Sequence, residues 1–230
     1  MIILFEDYYL LVCNKPPGLS TEIQNHNYPS IEQLCLQYLQ EKFPRRKNYY
    51  LRPVHRLDRA ASGVVIFAKT YTALQNVNTQ ILNRKITKKY IAIVEGILNK
   101  KEDILKHWLL KDNLQKKSIV VNPQTKNSKE SILHYEVIHE NENTSVVIIK
   151  LETGRYHQIR CQFSEIKNPV VNDSLYGGNK ISNESSIALH ALSYSIHHPV
   201  SNQLLIFTAG LPDNDIWREI NQEHIIDELF

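Results

Sequence analysis

No apolar run in the sequence approaches the ~20 residues that a bilayer-spanning helix requires; Val64 to Ala68 and Val146 to Ile149 are typical of its hydrophobic stretches. The opening segment MIILFEDYY has no charged region ahead of its apolar residues, so a secretory leader is not expected and the cytoplasm is the expected compartment. Cysteine is scarce. Cys13, Cys35 and Cys161 are odd in number and widely spaced, each inside an apolar stretch, which predicts buried thiols and not disulfides. There is no CxxC pair, no HxH and no HExxH, and the neighbouring His197 and His198 would point apart in a strand, so no metal site is expected despite ten histidines. Strong charge of one sign is missing too. A formal net charge of +3 permits an anionic partner without requiring one.

What is present is enough to fold. A chain of 230 residues with 42% hydrophobic content can bury a substantial core and fits one large domain spanning residues 1–230. The cations gather locally, in Arg45-Arg46-Lys47, Arg84-Lys85, Lys88-Lys89 and Lys116-Lys117, groups that either solvate a surface or meet a polyanion.

Along the chain the periodicity is mixed and nothing repeats. Leu10 to Asn14 reads as a strand, halted by Lys15-Pro16-Pro17-Gly18. Ser30 caps a helix through a capping box with Gln33, and that helix must end before Pro44. Val64 to Ala68 is a strand, after which Thr70 caps a second helix with Leu74, Val77, Ile81 and Leu82 turned inward. Tyr90 to Glu95 is a strand closed by Gly96, and residues 99–127 read as a partly irregular, lysine-rich insertion anchored by Trp108, Leu109 and Leu110. Ile132 to Ile138 and Ser145 to Leu151 form a hairpin, His157 to Ser164 a helix, and Ser193 to Ile196 with Leu204 to Thr208 a last hairpin. Asp213 caps a C-terminal helix carrying Trp217 and Ile220, opening an extension over 213–230. Strands and helices do not alternate regularly, so the expected class is α+β with a central, mostly antiparallel mixed sheet.

Two segments hold groups capable of chemistry. His55-Arg56-Leu57-Asp58-Arg59 sets a carboxylate between two arginines in a loop just before a strand, the setting either of a surface ion pair or of a catalytic acid. Thr153-Gly154-Arg155-Tyr156-His157-Gln158-Ile159-Arg160 brings two more cations to the entrance of a helix, where anions of any kind are favoured.

Taken with their neighbours, these segments resemble the pseudouridine synthases of the RluA type. The resemblance runs from about Leu10 to Pro212 and is carried, in order, by Asn14-Lys15-Pro16-Pro17-Gly18, by His55-Arg56-Leu57-Asp58 with Ser62-Gly63 and Ala68-Lys69-Thr70, and by Lys89-Tyr90 with Glu95-Gly96. It continues through Gly154 to Arg160, Asp173 with Tyr176-Gly177, Leu189-His190-Ala191 and His198-Pro199. Three positions depart from the family pattern: Ala61 replaces a common threonine, Tyr156 a threonine or histidine, and Asn172 the glycine that usually precedes the aspartate. Since the chain starts close to the matched core, the N-terminal S4-type RNA-binding domain of many relatives is expected to be absent.

The resemblance implies an isomerase that converts uridine to pseudouridine in rRNA or tRNA, working as a monomer on a flipped-out nucleotide in an RNA-binding cleft. Because the two nucleosides are isomers, neither cofactor nor metal is implied. Asp58 is implied as the catalytic carboxylate, attacking C1′ or removing a C2′ proton, and Arg160 as its ion-pair partner, lowering its pKa. Tyr90 is implied to stack on the target base, Leu189 to wall the uracil, and Arg56 to fill the vacated stack, with Arg155 and Lys89 among the RNA contacts. A noncatalytic RNA binder of the same fold and a base glycosylase using Asp58 are the alternatives.

Overall fold

The computed structural model describes residues 2–23, 29–181 and 185–218. In chain order the elements are β1 (Ile2–Glu6), β2 (Leu10–Lys15), α1 (Ile31–Lys42), β3 (Arg52–Pro53), β4 (Ser62–Ala68), α2 (Tyr71–Leu82) and β5 (Thr87–Glu95). Then come β6 (Glu102–Asp112), β7 (Lys117–Val121), β8 (Lys129–Glu140), β9 (Thr144–Leu151), α3 (Gln158–Glu165), β10 (Leu189–His197), β11 (Leu204–Thr208) and α4 (Asp215–Arg218). These group into two compact units, Met1–Lys88 with Ala191–Pro212, and Lys89–His190 with Asp213–Phe230. No helix among the described residues is long and apolar enough to cross a membrane.

In the first unit the strands lie in the order β1-β2-β4-β10, with β3 also on β4 and β11 on β10. The centre is β4, whose seven residues are all buried, as a run of Val, Ile and Phe with almost no polar interruption requires. β2 pairs antiparallel with it from Leu10 opposite Ala68 to Lys15 opposite Gly63, which brings the end of one motif beside the start of the other. Both helices start as the sequence predicts: the Ser30 side chain accepts from the Gln33 amide and the Thr70 side chain from the Ala73 amide. The thiols of Cys13 and Cys35 meet in this core as buried groups 3.9 Å apart, not joined by a disulfide.

The second unit carries β5-β9-β8-β6-β7. Every pair in that run is antiparallel, and α3 lies on β6 and β7, where Leu109, Cys161 and Tyr176 form a small cluster. The α+β class and the antiparallel character therefore follow the sequence reading.

Several local expectations need correction. Residues 99–127 are no irregular insertion: β6 and β7 form a hairpin, in register from Trp108 opposite Val121 to Asp112 opposite Lys117. Its buried positions, among them Leu105 and Leu109, face α3, while the lysines that masked the alternation occupy the outer positions. In α2 the buried positions are Ala73, Val77 and Gln80, and Leu82 is exposed, so the inward face is turned by one residue from the expected one. Gln80 is drawn inward by hydrogen bonds to both backbone groups of His197. β1 was not foreseen at all. The C-terminal helix begins one residue later than expected, at Asp215, and Ile220 with the rest of the extension lies outside the described residues.

Candidate active site

Asp58 occupies a turn between β3 and β4, closed by the Ala61 amide donating to the Asp58 carbonyl at 3.1 Å. The loop after β2 clasps this turn from below. Gly18 N donates to the Arg59 carbonyl at 2.8 Å, and Arg59 Nε returns a bond to the Gly18 carbonyl at 2.8 Å. Gly18 has φ +86°, a left-handed conformation that glycine adopts without strain. Thr21 fixes the other side: its hydroxyl donates to the Leu57 carbonyl and accepts from the Leu57 amide, both at 3.0 Å.

Beneath the clasp lies Lys15, fully buried. Its three ammonium protons have three acceptors, the carbonyls of Pro16 and Leu19 at 3.0 Å and of Arg59 at 3.3 Å. Burial pulls the Lys15 pKa down to about 7, against the Asp58 carboxylate, which favours the charged ammonium. A buried amine, cationic below about pH 7, thus stands within electrostatic reach of Asp58.

His55 opens the same turn. Its ring stacks on Tyr194 of β10, centroids 4.2 Å apart, and Nε2 accepts from the Ile66 amide. Burial, with Lys88 adding to it, brings its pKa down to about 3, so the ring is neutral and serves as a brace. Arg56 points outward and forms an exposed pair with Glu22 at 3.3 Å, a contact of little energetic weight that a polyanion can displace.

The second unit holds the other expected residues. Arg160, on α3, is buried, and its Nε and Nη2 donate to both oxygens of Asp173 at 2.6 and 2.8 Å. The guanidinium also lies 5.0 Å from the centroid of the Tyr176 ring. The sequence reading named Asp58 alone as the carboxylate for Arg160; Asp173 is a bidentate partner that it missed, although Asp173 was one of the family marks. Asn172 just before it has φ 65°, which explains how asparagine serves where glycine is usual, since asparagine tolerates the left-handed region. Its side chain also accepts from Ile181 N and donates to the Ser186 carbonyl.

The entrance to α3 differs from a generic anion site. His157 stands at the N-cap with φ 51° and no capping hydrogen bond from its side chain. Gln158 Oε1 instead ties down the preceding loop, accepting from Arg155 N and from Thr153 Oγ1, and Arg155 Nε donates to the Glu130 carbonyl. Tyr156 stacks on His157 at 3.8 Å, bonds through its hydroxyl to the Lys116 carbonyl, and carries the Lys111 ammonium over its ring. Tyr90 is a buried residue of β5 opposite Ile149, with half-exposed Lys89 next to it opposite Lys150, and Leu189 is buried at the start of β10. Lys15, Thr21 and Tyr194 were not assigned roles from sequence, because the partner that ties each to the turn, Arg59, Leu57 and His55 respectively, lies 36 to 139 positions away. No group of three or more His, Cys, Asp or Glu side chains among the described residues is placed to hold a metal ion.

Comparison with known proteins identifies the family and the fold. Residues 9–165 match the family described as RNA pseudouridylate synthase. A ribosomal large subunit pseudouridine synthase C of Buchnera aphidicola subsp. Baizongia pistaciae is 37% identical, over 91% of this chain and 67% of its own length. The RNA pseudouridine synthase YhcT of Bacillus subtilis is 33% identical, over 91% of this chain and 68% of its own. In fold, human RNA pseudouridylate synthase domain containing 1 superimposes with a TM-score of 0.75 at 20% identity, covering 99% of this chain and 94% of that one. With a matched segment that includes the clasped aspartate turn and the α3 arginine, the chain belongs to the RNA pseudouridylate synthase family.

Proposed function

We propose that this pseudouridine synthase acts as a cytoplasmic monomer on ribosomal or transfer RNA, with Asp58 as its catalytic carboxylate. The observation that carries the assignment is the construction around Asp58: a turn clasped by Gly18, Thr21 and Lys15, so that the carboxylate is half-buried on a fixed backbone beside a buried amine that is cationic below about pH 7. Preorganised charge of this kind is what a reaction at a sugar carbon demands. The similarity to a ribosomal large subunit pseudouridine synthase C favours the large ribosomal subunit as the source of the substrate.

The chemistry requires the C1′ to N1 bond to break, the uracil to turn, and C5 to join C1′ with loss of the C5 proton to N1 or solvent. Atoms and electrons balance without an outside reagent. Asp58 either attacks C1′ or removes a C2′ proton. Tyr90 is assigned to the target base and its C5 proton, Leu189 to the wall of the uracil pocket, and Arg160 to holding charge at the site. Arg56 is exposed and only loosely paired, as suits a guanidinium that fills the gap left by a flipped base. Arg155 and Lys89 are assigned to the RNA strand.

The test is turnover of RNA labelled with tritium at C5 of uridine. Asp58→Asn is expected to bind RNA with unchanged affinity and to release no tritium; pseudouridine formed by that variant removes the catalytic assignment. Release of free uracil by the wild type identifies a glycosylase, and binding without either product identifies a noncatalytic RNA binder.

A further inference from the structure

Just past the end of α1 the chain makes a compact turn whose charge is unanswered. Phe43 is the C-cap, and its carbonyl accepts from both Arg46 N at 2.9 Å and the Tyr49 hydroxyl at 2.5 Å, so the segment from Phe43 to Tyr49 is tied to itself. Lys42, Phe43, Pro44, Arg45 and Arg46 line an open hollow of about 540 Å³. Phe43 is 40% exposed there. Lys42 and Lys69, whose ammonium groups lie 5.6 and 5.8 Å from its ring centroid, both pair with Glu6. Arg45, Arg46 and Lys47 are different. They are exposed, and among the described residues no acid pairs with any of them, whereas Arg52, Arg56 and Arg218 each have an acidic partner.

Cations past a helix C-terminus have an ordinary explanation, since they complement the helix dipole. Lys42, in the last turn of α1, already meets that need. Three further cations without an acidic partner, one of them Arg46 with its guanidinium 5.8 Å from the Tyr49 ring centroid, exceed it around a partly exposed phenylalanine, and the combination of phosphate-binding charge with an aromatic ring for a base is the usual composition of a single-strand nucleic-acid surface. The stretch from residue 48 to 57 joins this turn to Asp58 and spans no more than about 40 Å even fully extended.

We propose that the turn from Phe43 to Tyr49 is a second RNA-docking surface, which holds a strand of the substrate outside the target nucleotide, with Arg45, Arg46 and Lys47 on its phosphates and Phe43 under one of its bases. This rests on the proposed action on RNA. It assigns substrate choice to a surface outside the catalytic motifs.

The experiment compares two RNAs: a long structured RNA that the wild type modifies, and the shortest stem-loop from it that is still modified. The triple variant Arg45→Gln, Arg46→Gln, Lys47→Gln is expected to raise Kd and KM for the long RNA about tenfold. It is also expected to make the dependence of log affinity on log salt shallower by about 2, the loss of three single-strand contacts. Phe43→Ala raises KM for the long RNA several-fold with little change in the salt slope. KM for the stem-loop stays within twofold in both variants. Ultraviolet crosslinking of the wild-type protein is expected to attach the peptide containing Phe43 to the long RNA only, a readout that requires no substitution. Unchanged affinity of the triple variant for the long RNA, or an equal loss on both RNAs, overturns the proposal, the latter by placing the cations at the target nucleotide. A wild type that neither binds nor modifies RNA ends the functional reading and this surface with it, whereas an active wild type with an indifferent triple variant ends this surface alone.

Discussion

Asp58 is held by its neighbours' backbone, so side chains that never touch a substrate control its position. Thr21 is the sharpest case, because one hydroxyl satisfies both the amide and the carbonyl of buried Leu57. Thr21→Val keeps the shape and removes both bonds. It is expected to cost about 1 to 3 kcal/mol for each backbone group left without a partner, and to lower kcat about tenfold while KM for RNA changes little. Denaturant unfolding and tritium release read the two effects, and a variant with wild-type values in both removes Thr21 from the clasp. Lys15 gives a pH signature. Its pKa is about 7 in the folded protein against 10.5 for an ordinary lysine, so between those values the unfolded chain binds a proton that the folded one does not. Stability therefore rises with pH across that window, by at most about 1.4 kcal/mol per unit, and Lys15→Met is expected to flatten that rise in unfolding measurements from pH 7 to 10. Asp58, Arg160 and Tyr90 could be proposed from the sequence because motif order marks them. The roles of Thr21 and Lys15 were not, since a threonine or a lysine acquires meaning only when the fold brings a distant carbonyl to it.

At the level of elements, legibility followed the contrast between inside and outside. β4 was readable because all of it is buried, and the two helices because Ser30 and Thr70 announce them. The β6–β7 hairpin was hidden by lysines that share its strands with buried leucines, so that no simple apolar run remains. The Ser62-Gly63 mark was visible as a motif, and its physical reason appears only in the sheet. Gly63 has φ +115°, and a Cβ there would lie 2.2 Å from the Ala191 carbonyl oxygen and 2.5 Å from its nitrogen. Both neighbours are backbone and cannot turn aside. Gly63→Ala is accordingly expected to separate β4 from β10 locally and to destabilise the protein by about 3 kcal/mol or more, from overpacking and backbone strain together. A thermal midpoint within 2 °C or so of wild type would show that the sheet gives way more easily than this contact allows.

For the molecule as a whole, composition and pattern indicated the α+β class, whereas the division into two compact units was not visible, because the family marks run through both without a linker between them. The division has a consequence in acid. In the first unit His55 is held neutral with a pKa of about 3, while an unfolded histidine takes up its proton near 6.5. Burial alone would raise Glu6, but hydrogen bonds from Lys42, Lys69 and Tyr38 outweigh it and bring the carboxyl down to about 2, against 4.5 when free. For both groups the unfolded state binds the extra proton, so stability falls as pH falls: from 6.5 to 3 through His55 and from 4.5 to 2 through Glu6. Between 4.5 and 3 the two losses coincide, at most about 2.7 kcal/mol per pH unit. In the second unit the lowered groups are half-buried Asp103, paired with exposed Lys100 in a bond that water weakens, and His107, which burial lowers less than it lowers His55. Hydrogen exchange, corrected for the intrinsic pH dependence of the amides, is thus expected to show β2 and β4 losing protection before β8 and β9 as pH is lowered from 6 to 4. His55→Phe lowers stability at neutral pH by removing the acceptor of Ile66 N, yet should leave a shallower decline above pH 4.5, where only the histidine titrates. Equal loss of protection in all four strands, or an undiminished decline in that variant, would mean that the acid sensitivity does not originate in these two groups.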